Sequence, residues 1–91
     1  MSSAVAGRIE ERLRASFEVR EFEIHDDSAL HAGHAGARDG GGHYRLRIVS
    51  PAFAGQGTIA RHRMIYQALG EMMKKEIHAL AIKALSADEA I

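Results

Sequence analysis

The chain has no cysteine and no tryptophan, only one proline, and no excess of charge of either sign, since twelve Lys and Arg stand against twelve Asp and Glu. Each of these lacks excludes something. Without cysteine the chain can form no disulfide and cannot by itself offer thiolate ligands to a metal centre. Without net charge, no overall field draws it onto the phosphates of a nucleic acid, so any such binding must be local. No stretch approaches the roughly 20 apolar residues of a membrane span, and Met1 to Gly7 has neither a basic start nor an apolar run. The expectation is a cytoplasmic protein with no membrane partner.

What is present is enough to fold. Of 91 residues, 46% are apolar and 26% charged, which is ordinary for a globular chain, and the length predicts one domain spanning residues 1–91. Val5, Ile9 and Leu13 recur every fourth residue among Arg8, Glu10, Glu11, Arg12 and Arg14, an amphipathic helix capped near Ser2 or Ser3. From Val19 to Asp26 the pattern becomes alternation, with Phe22 and Ile24 opposite Glu21 and Glu23, a half-buried strand.

Residues 27–42 contain Gly33, Gly36 and the run Gly40-Gly41-Gly42, with His31 and His34 and little to bury. This reads as a long loop, of a length that is often functional in a small domain. Alternation resumes with Tyr44, Leu46 and Ile48 opposite His43, Arg45 and Arg47, until Pro51 ends the strand. Antiparallel pairing of the two strands would bring Glu21 and Glu23 near Arg45 and Arg47.

From Thr58 to Glu76 an apolar stripe of Ile59, His62, Ile65, Tyr66, Leu69, Met72 and Met73 predicts the longest helical region, with Gly70 as a break into two helices. His62, lying on that stripe, is expected to be a hydrogen-bonded core residue. Leu80, Ile82 and Ala84 alternate with Ala79, Ala81 and Lys83 in a third strand, and residues 86–91 form a short polar tail. The order α-β-β-α-α-β predicts an α+β fold, helices packed on one face of a three-stranded sheet.

At this level of detail the residues resemble those of the BolA-like family. The run Asp26-Asp27-Ser28-Ala29-Leu30-His31-Ala32-Gly33-His34, followed by His43, is similar to the first half of the family pattern. Phe53-Ala54-Gly55-Gln56-Gly57, then Arg61-His62-Arg63-Met64-Ile65-Tyr66, then Ile77-His78-Ala79-Leu80-Ala81-Ile82 are similar to its second half. The resemblance implies a fold related to the class II KH domain and, as partner, a monothiol glutaredoxin. With it such a protein shares a glutathione-dependent 2Fe-2S cluster, a group not expected in the isolated chain. Carried over by position, the family's C-terminal ligand histidine is His78 and its loop ligand is His31, making this chain the histidine-loop type, with His34 as competitor. Imidazole is a competent ligand, since two histidines replace two thiolates on one iron of Rieske centres. It must be deprotonated to bind and titrates near neutral pH, which favours sensing or regulation over stable transfer.

The resemblance also implies transcription regulation as the rival function, for which Arg61, Arg63, Lys74 and Lys75 supply local positive charge. Against it, the turn Gly55-Gln56-Gly57 is not the Gly-x-x-Gly clamp of KH domains. DNA and a weak homodimer are the other partners this reading admits. A mononuclear site of His31, His34 and His78 is a third reading, with zinc as the usual ion for imidazoles. His25 and His43 are expected to be structural or without a role. No arrangement of nucleophile and base is evident, and Asp26 and Asp27 are neighbours pointing apart on a strand end, so no enzymatic activity is expected.

Overall fold

The computed structural model describes residues 4–27 and 42–90. Strands β1 (Glu21–Asp26), β2 (Gly42–Val49) and β3 (Ile77–Leu85) form a single sheet in that spatial order, with helices α1 (Ala4–Ser16) and α2 (Thr58–Leu69) beside it. β2 is central because both neighbours need it. β1 runs antiparallel to it, from Glu21 opposite Val49 to Asp26 opposite Tyr44, and β3 runs parallel to it. A parallel neighbour cannot be reached by a tight turn, and α2 supplies the crossover.

The alternation read from the sequence decides which face is covered. Tyr44, Leu46 and Ile48 of β2 are buried, Phe22 and Ile24 of β1 are half-buried beside them, and α1 adds Ala6, Ile9 and Leu13 while α2 adds Ile65 and Leu69. Phe53 closes this core, with its ring centroid 5.3 Å from that of Phe17. Removing each such Ile, Leu or Phe side chain from water contributes roughly 1.5–3 kcal/mol before the entropy of ordering it is subtracted. The chain is therefore the expected α+β arrangement, a three-stranded mixed sheet with both helices on one face.

Several details depart from the sequence reading, each for a local reason. The expected second helix after Gly70 is a 3-10 segment, Gly70–Lys74, because Gly70 takes φ 57° and ends α2. The apolar stripe over-reads α2: Ile59 is 75% and Tyr66 41% exposed, so only Ile65 and Leu69 are fully buried from this helix. His62 is half-buried and is not part of the core; its ring stands edge-on to Tyr66, centroids 6.4 Å apart. On the charged sheet face Glu21 and Glu23 do lie near Arg47, while Arg45 takes another partner. Arg47 reaches diagonally to Glu21 at 2.7 Å although Glu23 is its register partner, and Arg45 pairs with Asp27 at 2.5 Å. The expected N-cap, Ser2 or Ser3, lies outside the described residues.

Residues 86–90 are no loose tail. Ser86 is buried, a 3-10 turn follows at Ala87–Ala90, and Glu89 accepts both the Ser86 N–H at 2.8 Å and two guanidinium bonds from Arg61 at 2.6 and 3.1 Å. The Arg61 bonds, more than the backbone N–H, hold the Glu89 carboxyl down to about 2 against a usual 4.5. A carboxylate whose pKa is depressed on folding contributes stability above its unfolded value and loses it as pH falls through the folded one. Glu89→Gln is therefore expected to lower the melting temperature near neutral pH. The deficit should shrink below about pH 4.5 and vanish near pH 2, and a deficit independent of pH in acid melts would exclude this role.

Candidate metal-ligating site

Two histidines meet at one end of the open sheet face. His43 follows Gly42 at the start of β2 and shares its face with Arg45 and Arg47, while His78 lies one residue into β3. Their ring centroids are 5.0 Å apart with planes inclined at 46°. His43 is half-buried and His78 is exposed.

A register change makes this possible. Gly42 pairs with Ile77, yet His43 pairs with Ala79, so β3 carries one extra residue at that point, His78. In an unbroken strand His78 would be in phase with Leu80 and Ile82 and would face the core. The bulge returns Ile77 to the core, at 3% exposure, and leaves both His78 and Ala79 exposed on the open face beside His43. Re-aiming a side chain in this way is what bulges at sheet margins do. Small neighbours keep the surface low, since Ala79 and Ala81 line a shallow depression with Asp27, His43 and Arg45.

The surroundings fix the backbone of the pair. Gly42 donates to the carbonyl of Glu76 at 3.0 Å, Asp27 donates to the carbonyl of His43 at 2.7 Å, and Arg8 of α1 forms an ion pair with Glu76. Asp27 and Gly42 thus anchor, beside the histidine pair, the two ends from which residues 28–41 depart and return. His31 and His34 belong to that segment and lie outside the described residues. Among the described residues no group of three or more His, Cys, Asp or Glu side chains could hold a metal ion. The chain offers imidazoles here and no thiolate.

Of the cations considered for nucleic acid, Arg61 is committed within the chain. Its side chain is 12% exposed, donating from Nε to the Gln56 carbonyl at 2.8 Å and from Nη1 to the Ala84 carbonyl at 2.9 Å, besides the pair with Glu89. It ties the turn before α2 to the end of β3. Arg63, Lys74 and Lys75 are exposed and without an ion pair among the described residues. His25 stands exposed on β1, at the margin of a depression with Glu23, Arg45 and Lys83. The sequence assigns His43 a structural role or none, and the structure sets the ring of His78 beside it. The place of His43 on the open face was legible from alternation, but its neighbour was not, because no local pattern announces the bulge.

Comparison with known proteins places these features in company. The family model described as "BolA-like protein" matches residues 13–89. Over 82 residues the chain is 45% identical to SufE-like protein 1, chloroplastic/mitochondrial, of Arabidopsis thaliana, covering 85% of this chain but 22% of that protein. It is 39% identical to the DNA-binding transcriptional regulator BolA of Escherichia coli, covering 90% of this chain and 75% of that one. The chain spans 54% of the length of Protein BOLA1, chloroplastic, of Arabidopsis thaliana, at 38% identity and 92% of its own length. Among solved structures, the BolA domain of SufE1 from Arabidopsis thaliana superposes with a TM-score of 0.85 at 39% identity, over 98% of this chain and 99% of that one. The solution structure of BolA1 from Mus musculus gives 0.80 at 31% identity, over 97% and 69% of the two chains.

Proposed function

The chain belongs to the BolA-like family, and from that premise we propose that it is an adaptor that joins a monothiol glutaredoxin and glutathione in holding a 2Fe-2S cluster, with His78 as its firmest ligand. The observation that carries this reading is the bulge in β3, which takes His78 out of the core phase and sets it on the open face. His78 sits there next to the anchored ends of the segment bearing His31 and His34, the candidates for the second ligand.

The donors suit a shared group. A chain with imidazoles and no thiolate fits one iron of such a centre, in the manner of Rieske ligation, and leaves the other iron to the cysteines of glutaredoxin and glutathione. The cluster, when bound, supplies the redox and iron-dependent chemistry. The protein's part is to present a neutral imidazole at a fixed position, which a strand held on one side by β2 and by Gly42 does better than a loop. Mixing the chain with a monothiol glutaredoxin, glutathione, iron and sulfide is expected to give a visible circular dichroism spectrum distinct from that of glutaredoxin alone. Identical spectra would end the proposal.

A second reading rests on the relative named as a DNA-binding transcriptional regulator. In this chain it would draw on Arg63, Lys74 and Lys75, with Arg61 withdrawn into the fold. Phosphate contacts release counterions, so binding of a short duplex should weaken steeply with salt. No retardation at the lowest salt would remove this reading.

A further inference from the structure

We infer that His43 and His78 together form a mononuclear site for a divalent transition-metal ion of the zinc type, available to the isolated chain without any partner. A zinc ion about 2.0–2.1 Å from an imidazole nitrogen lies roughly 3.2 Å from that ring's centroid, so two imidazoles at tetrahedral angle have centroids about 5.2 Å apart. The rings of His43 and His78 stand 5.0 Å apart. That separation is compatible with a shared ion.

Three further observations make this a site for a cation. The one extra residue of β3 is His78 itself, so the strand departs from regularity at the point that brings the second imidazole to the first. His43 is followed on the same face by Arg45, whose charge would repel an ion, but Asp27 takes it up with Oδ2 on Nε at 2.5 Å and Oδ1 near Nη2 at 3.4 Å. The backbone of His43 is held by Asp27, and Gly42 and Glu76 bond across the two strands just before the pair, so bringing the imidazoles together costs little additional order. Two protein nitrogens leave two positions of a four-coordinate ion to water or an incoming ligand, one protein ligand fewer than open catalytic zinc sites have. Imidazole is a borderline-soft donor, so zinc and copper are favoured over magnesium or calcium.

This inference is independent of the cluster proposal, since it needs no glutaredoxin, glutathione or sulfide. The test uses the full chain carrying His31→Ala and His34→Ala, so that nearby histidines in sequence cannot supply nitrogens. Zinc chloride is titrated in while imidazole nitrogen resonances are followed by NMR. One equivalent is expected to shift His43 and His78 together. Adding either His43→Ala or His78→Ala should weaken binding by at least the roughly 10- to 100-fold that loss of an outer-shell partner already costs. His25→Ala and His62→Ala should leave it unchanged. No saturable binding, binding that survives both substitutions, or binding sensitive to only one of them would overturn the proposal. The first of these outcomes would identify the close approach of the rings as an aromatic contact alone.

Discussion

His78→Ala is expected to abolish the distinct visible circular dichroism of the mixed complex with glutaredoxin and glutathione, while leaving the chain folded. The two halves of this expectation have different physical origins. The loss follows because a methyl group cannot replace the imidazole nitrogen proposed as the ligand. The tolerance follows because His78 is exposed and makes no core contact, and substitutions at such positions usually change stability by less than about 0.5 kcal/mol. A thermal melt of the variant beside its spectrum separates a ligand from a structural residue. An unchanged spectrum would sink the assignment. A lost spectrum accompanied by a large fall in melting temperature would assign His78 to the fold.

Gly42→Ala is expected to cost about 1–3 kcal/mol, the usual range for overpacking a filled interior. A Cβ built on Gly42 would lie 2.4 Å from Cε2 and 2.4 Å from the hydroxyl of Tyr44, and that ring is 5% exposed, held among core side chains. The ring cannot swing aside without opening the core, so β2 must shift at its first residue. For a domain of 60–100 residues each kcal/mol lowers the melting temperature by about 4–8 °C, so a fall of several degrees or more should be plain. Because Gly42 also bonds to Glu76 immediately before the bulge, the variant should disturb the His43–His78 approach as well. An unshifted melt would show that the close approach to Tyr44 is dispensable. Gly42 is thus required for lack of volume at that position, in contrast with Gly70, whose φ of 57° requires a residue tolerant of that backbone.

The sequence made the layers of this protein legible and left its local irregularities hidden. Period-two alternation in β1 and β2 assigned the covered and open faces correctly, because a strand in a regular ladder has no choice about which way successive side chains point. The same rule failed at His78, where an extra residue changes the phase, and so it hid the approach of His43. Helical periodicity overestimated the buried face of α2, since Ile59 and Tyr66 fit the stripe but the helix meets its neighbours mainly along Ile65 and Leu69. In the sequence Arg61 is one local positive charge among several, because its partners, the carbonyls of Gln56 and Ala84 and the carboxylate of Glu89, come together only in three dimensions. His31 and His34 stay as the resemblance assigned them, since they lie outside the described residues.

The parallel placement of β3 against β2 has a kinetic consequence. His43 and His78 approach one another only when two strands separated by the whole of α2 have paired, whereas β1 and β2 can pair without bringing the histidines together. Pairings between segments distant in sequence are the slow part of folding, because the entropy of closing the intervening chain must be lost before the contact forms. A ligand that needs both imidazoles at once therefore finds that pair only in the native chain. It favours the native state and raises stability by mass action, reduced by any binding to the histidines of the unfolded chain.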